Sequence, residues 1–494
     1  FVLVKHENPG GFMAEGTHHF TEAPCVLLAT VGPGVANAVN AIVNAYQDQV
    51  PLIYLTGCVD ADVAQTYTHQ VFDHCALLKS VTKATFTMAD GAIDVIIDKA
   101  VAISMDSKPG PVHIDVPISL ATKEQNIPAP VRRVTPAISG PVEGPELVAA
   151  RTALEKAKRP LMIAGVEVLH KRAAKDVSDF CHKFNIPLLT TYKAKGVLAE
   201  DDALALGGVG LSPKADEIIF PLVAESDLII LAGYDPIEMR SSWVNAWGPE
   251  KTVIEFSDGP NTHYVHQASI SFVGHVGAGL NALSEGGQSR EIWPNNRPSV
   301  VRAALKKAFA GDGHWGAHAI VAAARRAMPR NTIAAVDTGA HRILLSQAWE
   351  CYEPRGLMQS TALCTMGVAM PLALGRKLAE PERPVIAFCG DAGIEMILGD
   401  LATARDQKMA VPIVVFVDES LALIELKQRG SGYDNLGVDF GGTDFAAVAN
   451  AMGGVGVTVT DEVSLEAELI KSQSRDTFTL IACPIERKAY DGNI

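Results

Sequence analysis

The sequence has few aromatic residues, 6% of the chain, and none of its eight cysteines forms a Cys-x-x-Cys pair. This spacing argues against a disulfide framework and against a zinc site, and it indicates small core residues in a reducing compartment. No apolar run reaches the roughly 18 residues that a membrane helix needs, and the first residues, FVLVKHENPGG, lack the layout of a secretion signal. We therefore predict a soluble protein of the cytoplasm that does not enter a membrane.

Basic residues are also scarce. The formal net charge is -14, and no segment clusters Lys and Arg. Proteins that bind nucleic acid neutralise phosphates with such clusters, so a nucleic-acid partner is not expected. The charge pattern favours a protein that acts on small molecules.

What the sequence does have is length and small apolar residues. The 494 residues suggest about three domains, and the hydrophobic content of 48% is carried mainly by Ala, Val, Ile and Leu. This composition is typical of parallel sheets covered by helices on both faces. We therefore predict an α/β fold.

Three blocks of the chain repeat one pattern, a short β-branched apolar run, a turn and an amphipathic helix. In the first block, CVLLATVGPGVANAVNAIVNAYQDQVPLIYLTG predicts a strand at 26–29, a helix at 36–46 and a strand at 51–56. FVLVKHE is interpreted as a strand and a turn, which suggests that an upstream strand and helix are missing. Two linkers rich in Pro or Gly separate three doubly wound parallel-sheet domains, which we place at residues 1–123, 146–285 and 314–494.

The third block contains GDAGIEMILGDLATARDQKMAVPIVVFVDES, in which Asp391 and Asp418 each follow a predicted strand. Ligands of such sheets bind at the carboxyl ends of strands, and two carboxylates there suit Mg²⁺. Gly390 and Gly393 would let backbone amides approach a phosphate, with a helix expected from about Ile394. These residues predict a site for magnesium and a diphosphate. The alternative, that both aspartates only cap helices, remains open at this point.

Four segments, in order, resemble the thiamine diphosphate enzymes. They are KHENPGGFMAEG, ATVGPGVAN, CTMGVAMPLALG and the pair GDAG and VDES. The resemblance covers nearly the whole chain and implies a pyrimidine-binding, a central and a diphosphate-binding domain. Within the family the chain is most similar to the FAD-independent, catabolic-type acetolactate synthases, through TYTHQVFD, LAGYDPIE, RGSGYDNLGVDFGGTDF and ERKAYDGNI, and through aspartate at position 418.

The resemblance implies a role for each matching residue. Glu7 would share a proton with the cofactor pyrimidine from an apolar pocket, and Met366 would hold the cofactor bent. The Cys364 carbonyl would accept from its amino group, and His69 and Gln70 would face the reacting carbon. The remaining matches are diphosphate contacts at Gly339, Ala340, His341, Gly390, Asp391, Ala392 and Gly393, and Mg²⁺ ligands at Asp391, Asp418 and the Ser420 carbonyl. Taken alone, each is also compatible with an ordinary structural residue: an exposed glutamate, a core methionine, or a histidine of the core or surface.

Five positions depart from the family pattern, among them Val31, which replaces a serine. Ala392 replaces a glycine and adds a methyl group where the diphosphate would approach, which predicts weaker cofactor binding. Ser420 stands where glycine is common, and Leu421 replaces a frequent tyrosine. Glu419 would add negative charge to the site if it pointed inward, or would be a solvated turn residue.

The resemblance implies a carboligase that decarboxylates pyruvate and joins the two-carbon unit to a second 2-oxo acid, with thiamine diphosphate and Mg²⁺ as cofactors. FAD is not expected, because AGVEV and GGVGLSP are not a dinucleotide fingerprint. A homodimer or a dimer of dimers, with the active site between subunits, is implied. Two alternatives remain: a thiamine diphosphate-dependent decarboxylase or aldehyde lyase, and a degenerate, non-catalytic relative.

Overall fold

The computed structural model describes residues 1–124 and 137–494, without the side chain of Glu238. The middle of the first predicted linker therefore lies outside the described residues. Within them the chain forms three sheets, one of four strands and two of six. All the strand pairs in the three sheets are parallel, and helices flank the sheets, which confirms the α/β class and the three parallel-sheet domains.

The first sheet has the strand order β1-β2-β4-β3. Its strands end in loops at a common edge, because parallel neighbours run in the same direction. The predicted helix at 36–46 is divided into two, α2 and α3. The elements of this unit are α1 Glu7–Thr21, β1 Cys25–Ala29, α2 Pro33–Asn37, α3 Val39–Gln47, β2 Leu52–Cys58, α4 His74–Leu78, β3 Ala84–Thr87, α5 Ile93–Met105 and β4 Pro111–Pro117.

The second sheet has the order β10-β9-β8-β5-β6-β7 and buries β5 and β8 on both faces. Its elements are α6 Pro145–Lys156, β5 Pro160–Ala164, α7 Glu167–His170, α8 Ala174–Phe184, β6 Leu188–Thr191, β7 Ala205–Val209, α9 Pro213–Glu225, β8 Leu228–Ala232, β9 Thr252–Ser257, β10 Ile270–Val273 and α10 Val276–Ser284. Part of the second predicted linker packs against the central unit, since Trp293 is buried and its indole N–H donates to the Pro160 carbonyl at 2.7 Å.

The third sheet has the order β12-β11-β13-β14-β16-β15, with β11, β13 and β14 side by side in its middle. Its elements, after the connecting helix α11 Arg297–Ala308, are α12 Ala317–Ala327, β11 Ile333–Val336, α13 Ala340–Ala348, β12 Leu357–Met358, α14 Ala369–Ala379, β13 Val385–Gly390, α15 Asp391–Glu395, α16 Leu401–Asp406, β14 Pro412–Val417, α17 Ala422–Gly430, α18 Phe445–Ala451, β15 Val455–Thr458, α19 Glu462–Ser472 and β16 Thr479–Pro484. The helix expected from about Ile394 instead begins at Asp391 and is one short turn.

The predicted strand in FVLVKHE is wrong. Residues 1–6 adopt no strand, and α1 begins at Glu7, where the His6 side chain accepts the Asn8 N–H at 3.1 Å and caps the helix. A glycine in α1 and another in α14 allow close packing of the two helices. A Cβ added at Gly16 would overlap the Leu372 carbonyl of α14, and one added at Gly375 would overlap the Met13 carbonyl of α1. Helices α1 and α14 thus pack backbone to backbone, which joins the first and third units.

The structure also shows the state of the cysteines and the character of the helices. All eight cysteines are free thiols, five of them buried. Among the helices of the described residues, none combines the length and the apolar character that a bilayer-spanning helix requires.

Candidate cofactor and metal site

Three neighbouring strands of the third sheet each end at an aspartate. Asp337 follows β11, Asp391 follows β13 and Asp418 follows β14. The register pairs Val336 with Phe388 and Gly390 with Phe416, so the three strand ends lie at one edge. The two predicted metal ligands are therefore brought together by the sheet itself.

Asp391 and Asp418 are held in place mainly by backbone amides. Oδ2 of Asp391 accepts from the N–H groups of Asp418 at 3.1 Å and Glu419 at 2.7 Å, and Oδ1 accepts from Ala392 at 2.8 Å. Oδ1 of Asp418 accepts the Ser420 N–H at 3.2 Å. Both carboxylates are buried, and their amide donors fix the positions of their oxygens.

The electrostatics of this pair fit a divalent cation. Burial, and then the neighbouring charge of Asp391, raises the pKa of Asp418 to about 7. Burial also raises the pKa of Asp391, although its three amide donors act in the opposite direction. Two buried carboxylates that resist ionising together would be relieved by a cation between them. The described residues contain no group of three or more His, Cys, Asp or Glu side chains that could hold a metal. The aspartate pair would leave coordination positions for phosphate oxygens and water, as Mg²⁺ prefers.

The pair opens into a cavity of about 680 Å³, part of which is open solvent. All of the predicted diphosphate and metal residues line it, and apolar groups from β14, α17 and the C-terminal segment complete it. The lining residues are Thr338, Gly339, Ala340, His341, Cys364, Met366, Gly390, Asp391, Ala392, Gly393, Phe416, Asp418, Ser420, Leu421, Ala422, Leu423, Ile424 and Tyr490. The volume is that of a pocket for a cofactor or substrate of moderate size.

His341 provides an independent test of whether the cavity fits a ligand. It is buried at the start of α13, its ring lies 5.4 Å from the ring of Phe416, and a Cβ added at Gly390 would lie 3.0 Å from it. Its Nε2 has no hydrogen-bond partner among the described residues. Burial, and then the charge of Arg342, lowers the pKa of His341 to about 3, so the ring is neutral without a ligand. A buried, unpartnered nitrogen is costly. Because the other ring nitrogen bonds the Asp337 carbonyl, Nε2 would donate to an anionic ligand such as a diphosphate only with a protonated ring, which such a ligand would favour.

The segment that contains Cys364 and Met366 is tied to the same strand ends. Asp337 is fully buried, and its carboxylate accepts from the N–H groups of Gly367 at 3.0 Å and Val368 at 3.2 Å. Cys364 adopts a left-handed conformation, with φ of 55°, and its Sγ accepts from Arg342 at 3.3 Å. Burial raises the pKa of Asp337 to about 6.

Glu7 does not line the cavity, and in the single chain it is partly exposed. Its Oε2 accepts from the side-chain amide of Asn37 at 3.0 Å. The start of α1 nevertheless approaches the cofactor segment, since the Asn40 amide donates to Asn8 at 3.0 Å and to the Thr365 hydroxyl at 3.1 Å. The expected apolar pocket around Glu7 remains a prediction.

His69 and Gln70 are exposed and do not line the cavity in the described part of the chain. Gln70 has a positive φ of 59° and lies over the glycine turn, 2.8 Å from where a Cβ of Gly32 would stand. The His69 ring makes an edge contact with Tyr67 at 6.2 Å. The roles proposed for these two residues stay predictions.

The departures from the family pattern have clear structural settings. Ala392 lines the cavity. The Glu419 carboxylate turns away from the metal ligands and pairs with Arg487 at 3.2 Å, while its backbone has a left-handed φ of 53°. Glu419 is thus a turn residue with a surface ion pair, and its carboxylate is not a third ligand.

Sequence reasoning did not single out Asp337, Thr338 or Tyr490. Asp337 could have been found, because NTIAAVDTGAH repeats the pattern of a buried strand followed by aspartate that identified Asp391 and Asp418. Tyr490 lies in the C-terminal segment and reaches the cavity only through the tertiary fold. Burial raises its pKa strongly.

Comparison with known proteins agrees with this geometry. Residues 1–77 match the thiamine pyrophosphate enzyme N-terminal TPP binding domain, residues 147–283 the central domain, and residues 337–483 the C-terminal TPP binding domain. An acetolactate synthase of Bacillus subtilis is 26% identical, over all of this chain and 87% of its own length. Large subunits of acetolactate synthase from Parasynechococcus marenigrum and Escherichia coli are each 28% identical, over 98% and 86% of this chain and 81% and 76% of their own lengths.

Proposed function

We propose that this chain, which belongs to the thiamine pyrophosphate enzymes and is close to acetolactate synthase, is a pyruvate-condensing carboligase that forms 2-acetolactate. The observation that carries the proposal is the cavity that connects two buried carboxylates, suited to a metal and a diphosphate, with Cys364 and Met366. When bound, thiamine diphosphate would supply the carbon nucleophile and the electron sink for decarboxylation and carbon–carbon bond formation.

The chain's own residues would bind and orient this cofactor. We propose that Asp391, Asp418 and the Ser420 carbonyl hold Mg²⁺, which in turn holds the diphosphate. His341 would donate to a diphosphate oxygen through its unpartnered Nε2 once its ring is protonated, which the negative charge of the diphosphate would favour. The apolar Met366 side chain, which lines the cavity beside Cys364, would limit the conformations that the cofactor adopts.

A proton must also be held at the pyrimidine end. We propose Glu7 for this role, with Asn37 orienting its carboxylate through their 3.0 Å hydrogen bond. The side chains of His69 and Gln70 would hydrogen-bond the carboxylate or the developing alkoxide of the 2-oxo acid. No FAD is expected in the central unit.

Partly exposed Glu7 supports a site completed by a second copy of the chain, in a homodimer or a dimer of dimers. Co-expression of Glu7→Gln and Asp391→Asn chains tests this arrangement. If the site combines Glu7 of one chain with Asp391 of the other, mixed dimers contain one intact site and recover activity. If both residues come from one chain, the mixture stays inactive.

We also propose the domain boundaries 1–123, 146–285 and 314–494, with α11 as a connection. The eight free thiols support a reducing compartment, and the cytoplasm remains our prediction.

Product analysis tests the reaction. The protein is loaded with thiamine diphosphate and Mg²⁺ and incubated with pyruvate alone, and then with a second 2-oxo acid. A carboligase releases CO₂ and accumulates 2-acetolactate. Release of CO₂ with acetaldehyde as the sole organic product would instead identify a decarboxylase and refute the proposal.

A further inference from the structure

Helix α3 presents a polar stripe that the proposed chemistry does not use. Asn40, Asn44 and Asp48 follow one another at intervals of four residues, so they share one face of the helix and its C-terminal cap. Side chains spaced in this way usually face solvent. Here Asn44 is 1% exposed and Asp48 is 3% exposed.

All three side chains of the stripe hold one segment of the third unit, residues 360–365. The Ser360 hydroxyl donates to Asn44 Oδ1 at 2.6 Å, and Asn40 donates to the Thr365 hydroxyl at 3.1 Å. Partners in these pairs are more than 300 positions apart in the chain. The stripe is therefore a contact between the first and third units and not a solvated helix face.

Asp48 makes the densest set of these contacts. Its carboxylate accepts the Thr361 N–H at 3.1 Å, the Thr361 hydroxyl at 3.1 Å and the Ala362 N–H at 2.7 Å. The Lys193 ammonium, from the loop after β6 in the central unit, lies 3.0 Å from Oδ2. One buried carboxylate thus joins all three units at a single point.

The segment that Asp48 holds leads directly into the cofactor cavity. Two residues after Ala362 comes Cys364, and Met366 follows, and both line the cavity. Arg342 braces the other side of the segment, donating to the Ser360 carbonyl and to Cys364 Sγ. From these contacts we infer that Asp48 is a positioning residue, which fixes Cys364 and Met366 for the pyrimidine half of the cofactor. This inference rests on the proposed cofactor.

Asp48 does not line the cavity that contains the predicted diphosphate anchor, and this allows a specific test. In Asp48→Asn, an NH₂ group, which donates hydrogen bonds, replaces one acceptor oxygen. This NH₂ group then faces another donor, either the backbone N–H groups or the Lys193 ammonium. Hydrogen bonds to a charged group are stronger than neutral ones, and the difference in free energy corresponds to a change of about 10- to 100-fold in an equilibrium constant. We expect amide hydrogen exchange at residues 361 and 362 of the cofactor-free, full-length protein to accelerate by that factor.

Calorimetry then separates positioning from general damage. For Asp48→Asn we expect the Kd of thiamine diphosphate, in saturating Mg²⁺, to rise about 10- to 100-fold. The Kd of inorganic diphosphate with Mg²⁺ should stay within about threefold, because Asp391 and Asp418 are untouched. Equal weakening of both ligands, or unchanged exchange at residues 361 and 362, would overturn the inference.

Lys193→Met is the matched control, because it removes the ion pair and keeps the carboxylate that holds the segment. We expect this variant to melt at a lower temperature while exchange at residues 361 and 362 stays within about threefold of wild type. If Asp48→Asn does not fold, Thr361→Val removes one hydrogen bond from the other side and should accelerate exchange at residue 362 by about threefold to tenfold. No acceleration in that variant would overturn the inference.

The exchange experiment needs no cofactor and no substrate. Faster exchange in Asp48→Asn with no acetolactate from the wild-type protein would therefore refute the proposed reaction and leave the positioning role intact. Acetolactate formation by the wild-type protein, with unchanged exchange in Asp48→Asn, would support the proposed reaction and overturn the positioning role.

Discussion

Replacing Gly393 by alanine should disable the cofactor site, although the same change strengthens a helix in isolation. Gly393 lies inside α15, where alanine is favoured over glycine by about 1 kcal/mol. An added Cβ would stand under 3.0 Å from Asp337 Oδ2, closer than real Cβ atoms approach. Asp337 cannot move aside freely, because its carboxylate is held by the N–H groups of Thr338 at 2.8 Å, Gly367 at 3.0 Å and Val368 at 3.2 Å.

The cost exceeds the gain in helix propensity. Overpacking of a dense site costs about 1–3 kcal/mol, and each lost hydrogen bond to a buried charge costs about 1.5–3 kcal/mol. Loss of one such bond together with moderate overpacking, less the propensity gain, leaves a net cost of about 3 kcal/mol. If this cost falls on the cavity wall at residues 366–368, cofactor affinity drops about 100-fold.

Isothermal calorimetry with thiamine diphosphate in saturating Mg²⁺ measures this loss. Gly399→Ala is the matched control, because a Cβ there would meet only Lys5 Cβ at 3.9 Å, an ordinary contact. We expect the control to bind as the wild-type protein does. Binding by Gly393→Ala within about threefold of the control would refute the steric argument.

Three further predictions concern the same site. Ala392→Gly removes a methyl group from the cavity wall, so we expect the Kd of thiamine diphosphate to fall about threefold to tenfold in calorimetry. Burial raises the pKa of Asp418 to about 7, so the metal-free fold should lose stability as pH rises from about 4 to 7, by at most about 4 kcal/mol. In Asp418→Asn, the melting temperature should depend less on pH over this range. Glu7→Gln should largely abolish CO₂ release from pyruvate while calorimetry still detects bound cofactor.

Each of these has a distinct failing outcome. Weaker cofactor binding by Ala392→Gly would mean that the methyl group packs favourably against the ligand. Equal pH dependence of the wild-type and Asp418→Asn proteins would mean that Asp418 ionises normally in the metal-free fold. Undiminished CO₂ release by Glu7→Gln would remove Glu7 from the mechanism.

The parts of the fold that could be predicted are those that short sequence patterns determine. The runs that end at Asp391 and Asp418 are β-branched, buried and followed by polar turns, so both the strands and the meeting of their carboxyl ends follow from short-range pattern and parallel topology. Helix α1 could not be predicted in this way. Its glycines disfavour a helix locally, and Gly16 is tolerated because α14, more than 300 residues away, packs where a side chain at Gly16 would stand.

Asp48 illustrates the same limit within the site region. In the sequence it is one more polar residue at the end of an amphipathic helix, and nothing nearby indicates that it is buried. Its partners, Lys193 and Thr361, lie 145 and 313 positions away. A residue whose role depends on such contacts becomes visible only when the three units are placed against one another.

The charges at the site also constrain how its ligands bind. Without a cation, burial raises the pKa of both Asp391 and Asp418, so the carboxylate pair tends to retain a proton. A diphosphate alone would add negative charge beside these carboxylates, and a cation alone would leave His341 Nε2 without a partner. Each ligand would supply what the other lacks, since the cation would neutralise the carboxylates and the diphosphate, and the diphosphate would favour a protonated His341 that donates to it. We therefore expect cooperative binding of Mg²⁺ and thiamine diphosphate, with release of a proton from the carboxylate pair.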